Sequence, residues 1–303
     1  MLTDALDTYL AVRRAAGFDL VNDARHLRSF VRFACAQGDT LVIASTAIAW
    51  AGNGKSEPQH ANRLKIVIRF ARFAHAADTR HEVPPQGVFC NQRHRPTPYL
   101  YTEEEIAALI AQASRLGPAG TLRGQTYSTL IGLLAATGLR VSEALGLRFQ
   151  DVTADGLVIR ETKFHKSRLV PLHPTTLAAL ERYLVGRGQI IADDDHLFLS
   201  TQLRPLSVDA VYPIFHRLLA SCGLPRQVGQ PRLRLIDFRH TFASNALQAC
   251  PHARDHVGEH MLALMTYLGH ALPSSTYWYL ESSPRLMQDI ADVCEHMFEE
   301  HTP

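Results

Sequence analysis

The alternation of apolar and polar positions divides the chain into two helical stretches separated by an aperiodic segment. Leu6, Leu10 and Arg13 recur at helical spacing up to Gly17. From Leu20 to Cys35, Leu27, Phe30, Val31 and Ala34 share one face, and Gly38 is suited to stop that helix. Between about Pro58 and Ala77, Leu64, Val67, Ile68 and Ala71 lie on one side, with Lys65, Arg69 and Arg72 on the other. This predicts an amphipathic helix whose basic face is either a nucleic-acid contact or an ordinary solvated surface. Residues 79–98 are rich in proline, glycine and polar side chains without a period, as linkers are.

A second domain opens where Thr102 and Glu105 form a capping-box pair, followed by Ile106, Leu109, Ile110 and Ala113 at helical spacing. An apolar run from Tyr127 to Ala136 ends at Gly138. After Leu147 the period shortens: Gly156–Arg160 and Arg168–Leu172 are strand-like and flank the polar stretch Glu161–Ser167, predicting a β-hairpin with a basic tip. Helical pattern returns from Pro174, including Thr241–Ala249 and Met261–Leu268. The latter carries the stripe Met261, Leu264, Met265 and Leu268 up to a stop at Gly269. The expected fold is mainly α with a small β-sheet or hairpin: a helical domain over 1–80, a linker over 81–99 and an α+β domain over 100–303.

Composition narrows the function. With 46% apolar residues in 303, both domains can bury a core. No run approaches the roughly 18 apolar residues of a membrane span, and no basic-then-apolar leader begins the chain, so a soluble cytoplasmic protein without a membrane partner is expected. The five cysteines are scattered with no Cys-x-x-Cys pair, and the 16 histidines show no ligand spacing, so neither a metal nor a cofactor is expected. The net charge of +2 conceals an asymmetry. From Glu281 onward six acidic residues face only Arg285, while the preceding residues hold 30 basic against 23 acidic side chains. A basic body suits a polyanion.

Four segments carry candidate chemistry. In Ala136-Thr-Gly-Leu-Arg-Val-Ser-Glu-Ala-Leu145, Arg140 precedes a helix start, where a guanidinium and backbone N–H groups make an anion site. An ion pair with Glu143 is the plainer role for it. In Leu235-Ile-Asp-Phe-Arg-His-Thr-Phe-Ala243, Arg239 is read as preceding an apolar helix. Tyr267-Leu-Gly-His270 delivers His270 after a helix stop, and Ser275-Thr-Tyr-Trp-Tyr-Leu280 contains Tyr277 and Tyr279.

Taken together, in this order and spacing, these segments resemble the tyrosine recombinase (phage integrase) family across the second domain. The helical first domain more loosely resembles that family's core-binding domain. The resemblance implies an enzyme that cuts and rejoins double-stranded DNA through a 3′-phosphotyrosyl intermediate without metal or cofactor. Residue by residue, it implies that Arg140 and Arg239 hold the scissile phosphate, that His270 hydrogen-bonds it and that Tyr279 is the nucleophile. It makes Lys163 on the hairpin the acid for the leaving 5′ oxygen, with Lys166 the competing choice. It further implies four protomers on DNA or partner recombinases, the apolar positions Met287, Ile290, Val293 and Met297 packing on a neighbour or on their own domain. One position departs from the pattern: Ile236 stands three residues before Arg239, where the family usually has a histidine. A catalytically impaired DNA-binding member of a multi-recombinase set is therefore the alternative, and a relaxing activity of the type IB topoisomerase kind is a second.

Overall fold

The computed structural model describes residues 2–90, 97–118, 120–160, 167–224, 233–249 and 254–269. The chain forms two compact units, 1–95 and 96–303. No helix among the described residues is long and apolar enough to cross a membrane.

The first unit consists of α1 (Leu2–Ala15), α2 (Val21–Ala36), α3 (Ala44–Gly52) and α4 (Glu57–Ala77). The apolar faces of α1, α2 and α4 converge as their spacing predicts, around Phe30 and Phe70, with Tyr9 tilted against Phe70 at 5.6 Å between ring centroids. The sequence pattern had not marked α3. It is nine alanine-rich residues without polar alternation, and it folds because Trp50 is buried edge-on to Phe30 beneath the Arg63 guanidinium.

The first part of the expected linker is packed on this unit. The His81 ring accepts a hydrogen bond at Nδ1 from the Val42 N–H (2.9 Å), and Glu82 Oε2 accepts from Ala44 N–H at the start of α3 (2.7 Å). Phe89 lies edge-on to His60. Burial pushes the His81 pKa down from its usual value, with Arg80 and His75 opposing its charge and Asp78 favouring it. Because the folded value lies below the unfolded one near 6.5, the unfolded chain takes up the proton first, and stability is lost as pH falls through that window. The melting temperature of the whole chain should therefore drop between pH 7.5 and 5.5. His81→Gln should flatten that dependence, and an unchanged slope in thermal melts of the variant would refute the assignment.

In the second unit, Thr102 and Glu105 close both halves of the capping box at the start of α5 (Glu103–Ser114). Helix α6 (Arg123–Thr137) is central, and Gly124 lets it approach α5: a Cβ there would stand 2.3 Å from the Ser114 carbonyl oxygen. It ends at Gly138 in the left-handed region (φ 59°), and α7 (Val141–Leu145) follows at once. The strands β1 (Val152–Thr153), β2 (Gly156–Ile159) and β3 (Arg168–Val170) form one antiparallel sheet, with Leu157 opposite Val170 and Ile159 opposite Arg168. The hairpin tip, including Lys163 and Lys166, lies outside the described residues.

Helices α8 (Pro174–Gly188) and α9 (Val208–Ser221) complete the main core, and α10 (Ile236–Gln248) packs against α11 (Arg254–Leu268). Helix α10 starts five residues before the expected Thr241, so Arg239 lies inside its first turns rather than ahead of it. The reason is Asp237, whose buried carboxylate accepts from the Arg234 backbone N–H (2.8 Å) and guanidinium (2.7 Å), closing the helix start. Met261, Leu264 and Leu268 form the predicted buried stripe against Ala243 and Leu247, while Met265 is half-buried.

Candidate functional site

Two of the five predicted reaction-centre residues, Arg140 and Arg239, are described, and they come together at the end of α6. Arg140 is the N-cap of α7, extended at φ −67°, ψ 145°. Its backbone N–H donates to Glu143 Oε2 (3.0 Å), and its Nη1 donates to Glu143 Oε1 (2.6 Å). The ion pair weighed as the plainer role is thus present, yet the Arg140 side chain keeps 34% of its surface exposed. Gly138 is required because Phe242 of α10 occupies the space of a Cβ, at 2.7 Å. Arg239 is buried, and its Nη1 donates to the Gly138 carbonyl (2.8 Å), two residues before Arg140.

Sequence reasoning missed the third arginine. Arg168, the first residue of β3, donates from Nη1 and Nη2 to the two carboxylate oxygens of Glu143 (3.1 and 2.9 Å). Burial alone would raise the Glu143 pKa. Hydrogen bonds from Arg168 and the Arg140 N–H, with the charges of both arginines, outweigh it and hold the carboxyl below its usual range. Two guanidiniums and one carboxylate leave a net positive charge, and buried Arg239 adds another.

All three arginines also reach the C-terminal end of α11. Arg168 Nε donates to the Tyr267 carbonyl (2.8 Å), Arg239 Nη2 to that of Leu268 (2.6 Å) and Arg140 Nη2 to that of Gly269 (3.4 Å). The last carbonyls of a helix lack intrahelical donors and carry the negative end of its dipole, so cations gather there. His270 follows Gly269 directly in the chain. His270 and Tyr279 lie outside the described residues.

Ile236 is partly buried at the first position of α10. Four residues on, His240 shares its helix face and stands 3.9 Å from Asp237 Oδ1.

In the first unit, Lys65, Arg69 and Arg72 are exposed on α4, and Arg69 is paired with Asp23 of α2 at 2.6 Å. Helix α2 carries a second exposed basic stripe, Arg25, Arg28 and Arg32. Its spacing of three and four residues is legible in the sequence, opposite the apolar face of Leu27, Phe30, Val31 and Ala34.

Among the described residues, Asp194, Asp195 and His196 form the one cluster of acidic and histidine ligand atoms close enough for a metal. Its groups are engaged locally: Asp194 bonds the His196 ring and backbone, and Asp195 pairs with Arg148 at 3.3 Å.

Known proteins resemble this chain over most of its length. The model of the phage integrase family matches residues 100–285. "Putative integrase/recombinase y4rB" of Sinorhizobium fredii (strain NBRC 101917 / NGR234) is 38% identical, over 98% of each chain. "Tyrosine recombinase XerD" of Caulobacter vibrioides is 30% identical, over 91% of this chain and 90% of its own. In fold, the structure of the Tn1549 transposon integrase in complex with transposon right end DNA superposes with a TM-score of 0.61 at 19% identity, covering 95% of this chain and 99% of that one.

Proposed function

This chain belongs to the phage integrase family of tyrosine recombinases, and we propose that it is a site-specific recombinase of the integrase or transposase type that cuts and rejoins duplex DNA through Tyr279. The observation that carries this reading is the meeting of Arg140 and Arg239 at Gly138 and the end of α11, one residue before His270. Two guanidiniums held side by side by the carbonyls at that helix end suit the non-bridging oxygens of a phosphodiester, whose charge grows in the transition state.

In the proposed step the Tyr279 oxygen attacks phosphorus, a tyrosyl O–P bond forms and the bond from phosphorus to the 5′ oxygen breaks. The tyrosine proton passes to His270 or to bound water, Lys163 protonates the departing 5′ oxygen, and His270 hydrogen-bonds the phosphate. Lys166 is the second candidate for the acid. Rejoining reverses these events with a 5′ hydroxyl from another strand. The tyrosyl ester conserves the energy of the phosphodiester, so no nucleotide cofactor is needed. Arginines supply the charge that carboxylate-held Mg²⁺ supplies elsewhere. Four protomers on DNA, or this chain with partner recombinases, would provide the strands exchanged.

The test is covalent capture. The full chain, incubated with fragmented duplex DNA in excess EDTA and quenched with detergent, should retain DNA that can be recovered and sequenced. A strict Mg²⁺ requirement for cleavage would sink the mechanism. The impaired-member reading rests on Ile236, which lacks the proton-handling ring usual at its position. Capture by Ile236→His but not by the natural chain would establish it, since a positioned proton acceptor contributes about 10²–10⁴-fold.

The first unit would supply backbone contacts. Neutralising Lys65 or Arg72 should lower the slope of log affinity against log salt by about 0.9 each, uniformly across sequences. Arg69 should give less, because Asp23 already shares its charge. Removing Arg25, Arg28 and Arg32 together should give the larger drop, and fluorescence anisotropy at several salt concentrations measures each. An unchanged slope in the α2 triple variant would assign that stripe to solvent.

A further inference from the structure

Every nitrogen of the Arg168 guanidinium has a protein acceptor. Nη1 and Nη2 bracket the Glu143 carboxylate, and Nε donates to the Tyr267 carbonyl. The side chain is only 10% exposed and lies flat against Gly269, where a Cβ would stand 2.9 Å from Nη1 and 3.1 Å from Cζ. Glu143 is saturated in turn. Its Oε1 serves the side chains of Arg140 and Arg168, and its Oε2 serves Arg168 and the Arg140 backbone N–H.

Sharing has an electrostatic consequence. A buried carboxylate facing Arg140 alone would neutralise it and compete with a phosphate for the same donors. Divided between two guanidiniums, it orients Arg140 while the group keeps one positive charge in excess. Arg168 also joins the strand that leaves the hairpin tip to the helix end that precedes His270.

We propose that Arg168 is a positioning residue for DNA cleavage: by sharing Glu143 with Arg140 and holding the Tyr267 carbonyl, it sets the Arg140 fork and the end of α11 in the geometry that receives the scissile phosphate. The inference rests on the recombinase reading above. Among the described residues its partners are Glu143 and the Tyr267 carbonyl, so it acts through Arg140 and the backbone before His270.

The test uses the full chain, with Arg168→Gln and Arg168→Lys, on a nicked suicide duplex carrying the sequence recovered by wild-type capture. Single-turnover cleavage at saturating DNA separates the rate constant, which reports site geometry, from the amplitude, which reports the folded fraction. Arg168→Gln should lower the rate constant about tenfold or more, within the loss that a small misplacement of reacting groups causes, with little change in DNA affinity. Arg168→Lys, which keeps the charge but not the fork, should fall between it and wild type. Adding Glu143→Gln to Arg168→Gln should cost less than the product of the two single effects, because the residues act through each other.

A wild-type rate constant with only reduced amplitude would overturn the inference, as would a parallel loss of DNA affinity. It also fails if neither variant keeps the wild-type circular dichroism spectrum, since Arg168 would then serve the fold alone. A wild-type chain that captures no DNA would instead overturn the recombinase reading itself.

Discussion

Tyr279→Phe is expected to abolish covalent protein–DNA complexes on nicked suicide substrates while leaving DNA binding nearly unchanged. The substitution deletes one oxygen, the atom proposed to bond phosphorus, and leaves the arginines and the basic surfaces of α2 and α4 in place. No other group takes over, because an activated nucleophile must stand in line with the leaving oxygen at bonding reach. Tyr277, two residues earlier, is the natural control and should remain competent as phenylalanine. Detergent-resistant gel shifts with labelled DNA, read beside anisotropy on the same samples, separate attachment from binding. Loss of the complex in Tyr277→Phe but not in Tyr279→Phe would transfer the role to the neighbour.

Replacing Arg239 should damage both chemistry and fold, and in a diagnostic proportion. Its side chain is buried and supplies Gly138 and Leu268 with donors at 2.8 and 2.6 Å. Arg239→Ala leaves two buried carbonyls unsatisfied, at about 1–3 kcal/mol each. In its proposed role as a phosphate ligand, its loss should also lower the cleavage rate constant by roughly 10²–10³-fold. Arg140→Gln should cause a comparable loss of rate with much less loss of stability. Arg140 is one-third exposed, and its partner Glu143 keeps Arg168. Urea titrations alongside single-turnover cleavage, both well below the melting temperature, measure the two effects. Cleavage by Arg239→Ala at the wild-type rate would remove it from the reaction, whatever its stability.

How much of this was legible beforehand depended on whether the determining contact was local. The capping box of Thr102 and Glu105, the stop at Gly138 and the apolar faces of α2 and α4 involve residues a few positions apart, and each appears where the pattern placed it. The hairpin was readable from its two short apolar runs, but β1 is two residues long and carries no period. Helix α3 was invisible because its one decisive residue, Trp50, acts by tertiary burial against Phe30. The docking of residues 81 and 82 was not legible, because His81 and Glu82 look like solvated loop residues until Val42 and Ala44, nearly forty positions away, bond them.

The site divides the same way. Arg140 and Arg239 were found through motifs, and their side chains reach the adjacent carbonyls of Gly269 and Leu268. Arg168 was passed over as an ordinary strand residue because its partners lie 25 and 99 positions away. The start of α10 was placed late because Asp237 was not recognised as closing the helix with Arg234.

The three successive carbonyls at the end of α11 make that helix a ruler whose length is counted in whole residues. Arg168, Arg239 and Arg140 stand on three different elements, and each claims one of Tyr267, Leu268 and Gly269 in order. Inserting or deleting a single residue just before Tyr267 would turn the helix end by about 100° and slide it about 1.5 Å, spoiling all three matches at once. Side chains along the exposed face of α11 are free to vary without disturbing this register. Its residue count is not, so descendants of this chain that keep the site should change α11 by substitution and confine insertions and deletions to segments away from its C-terminal turn.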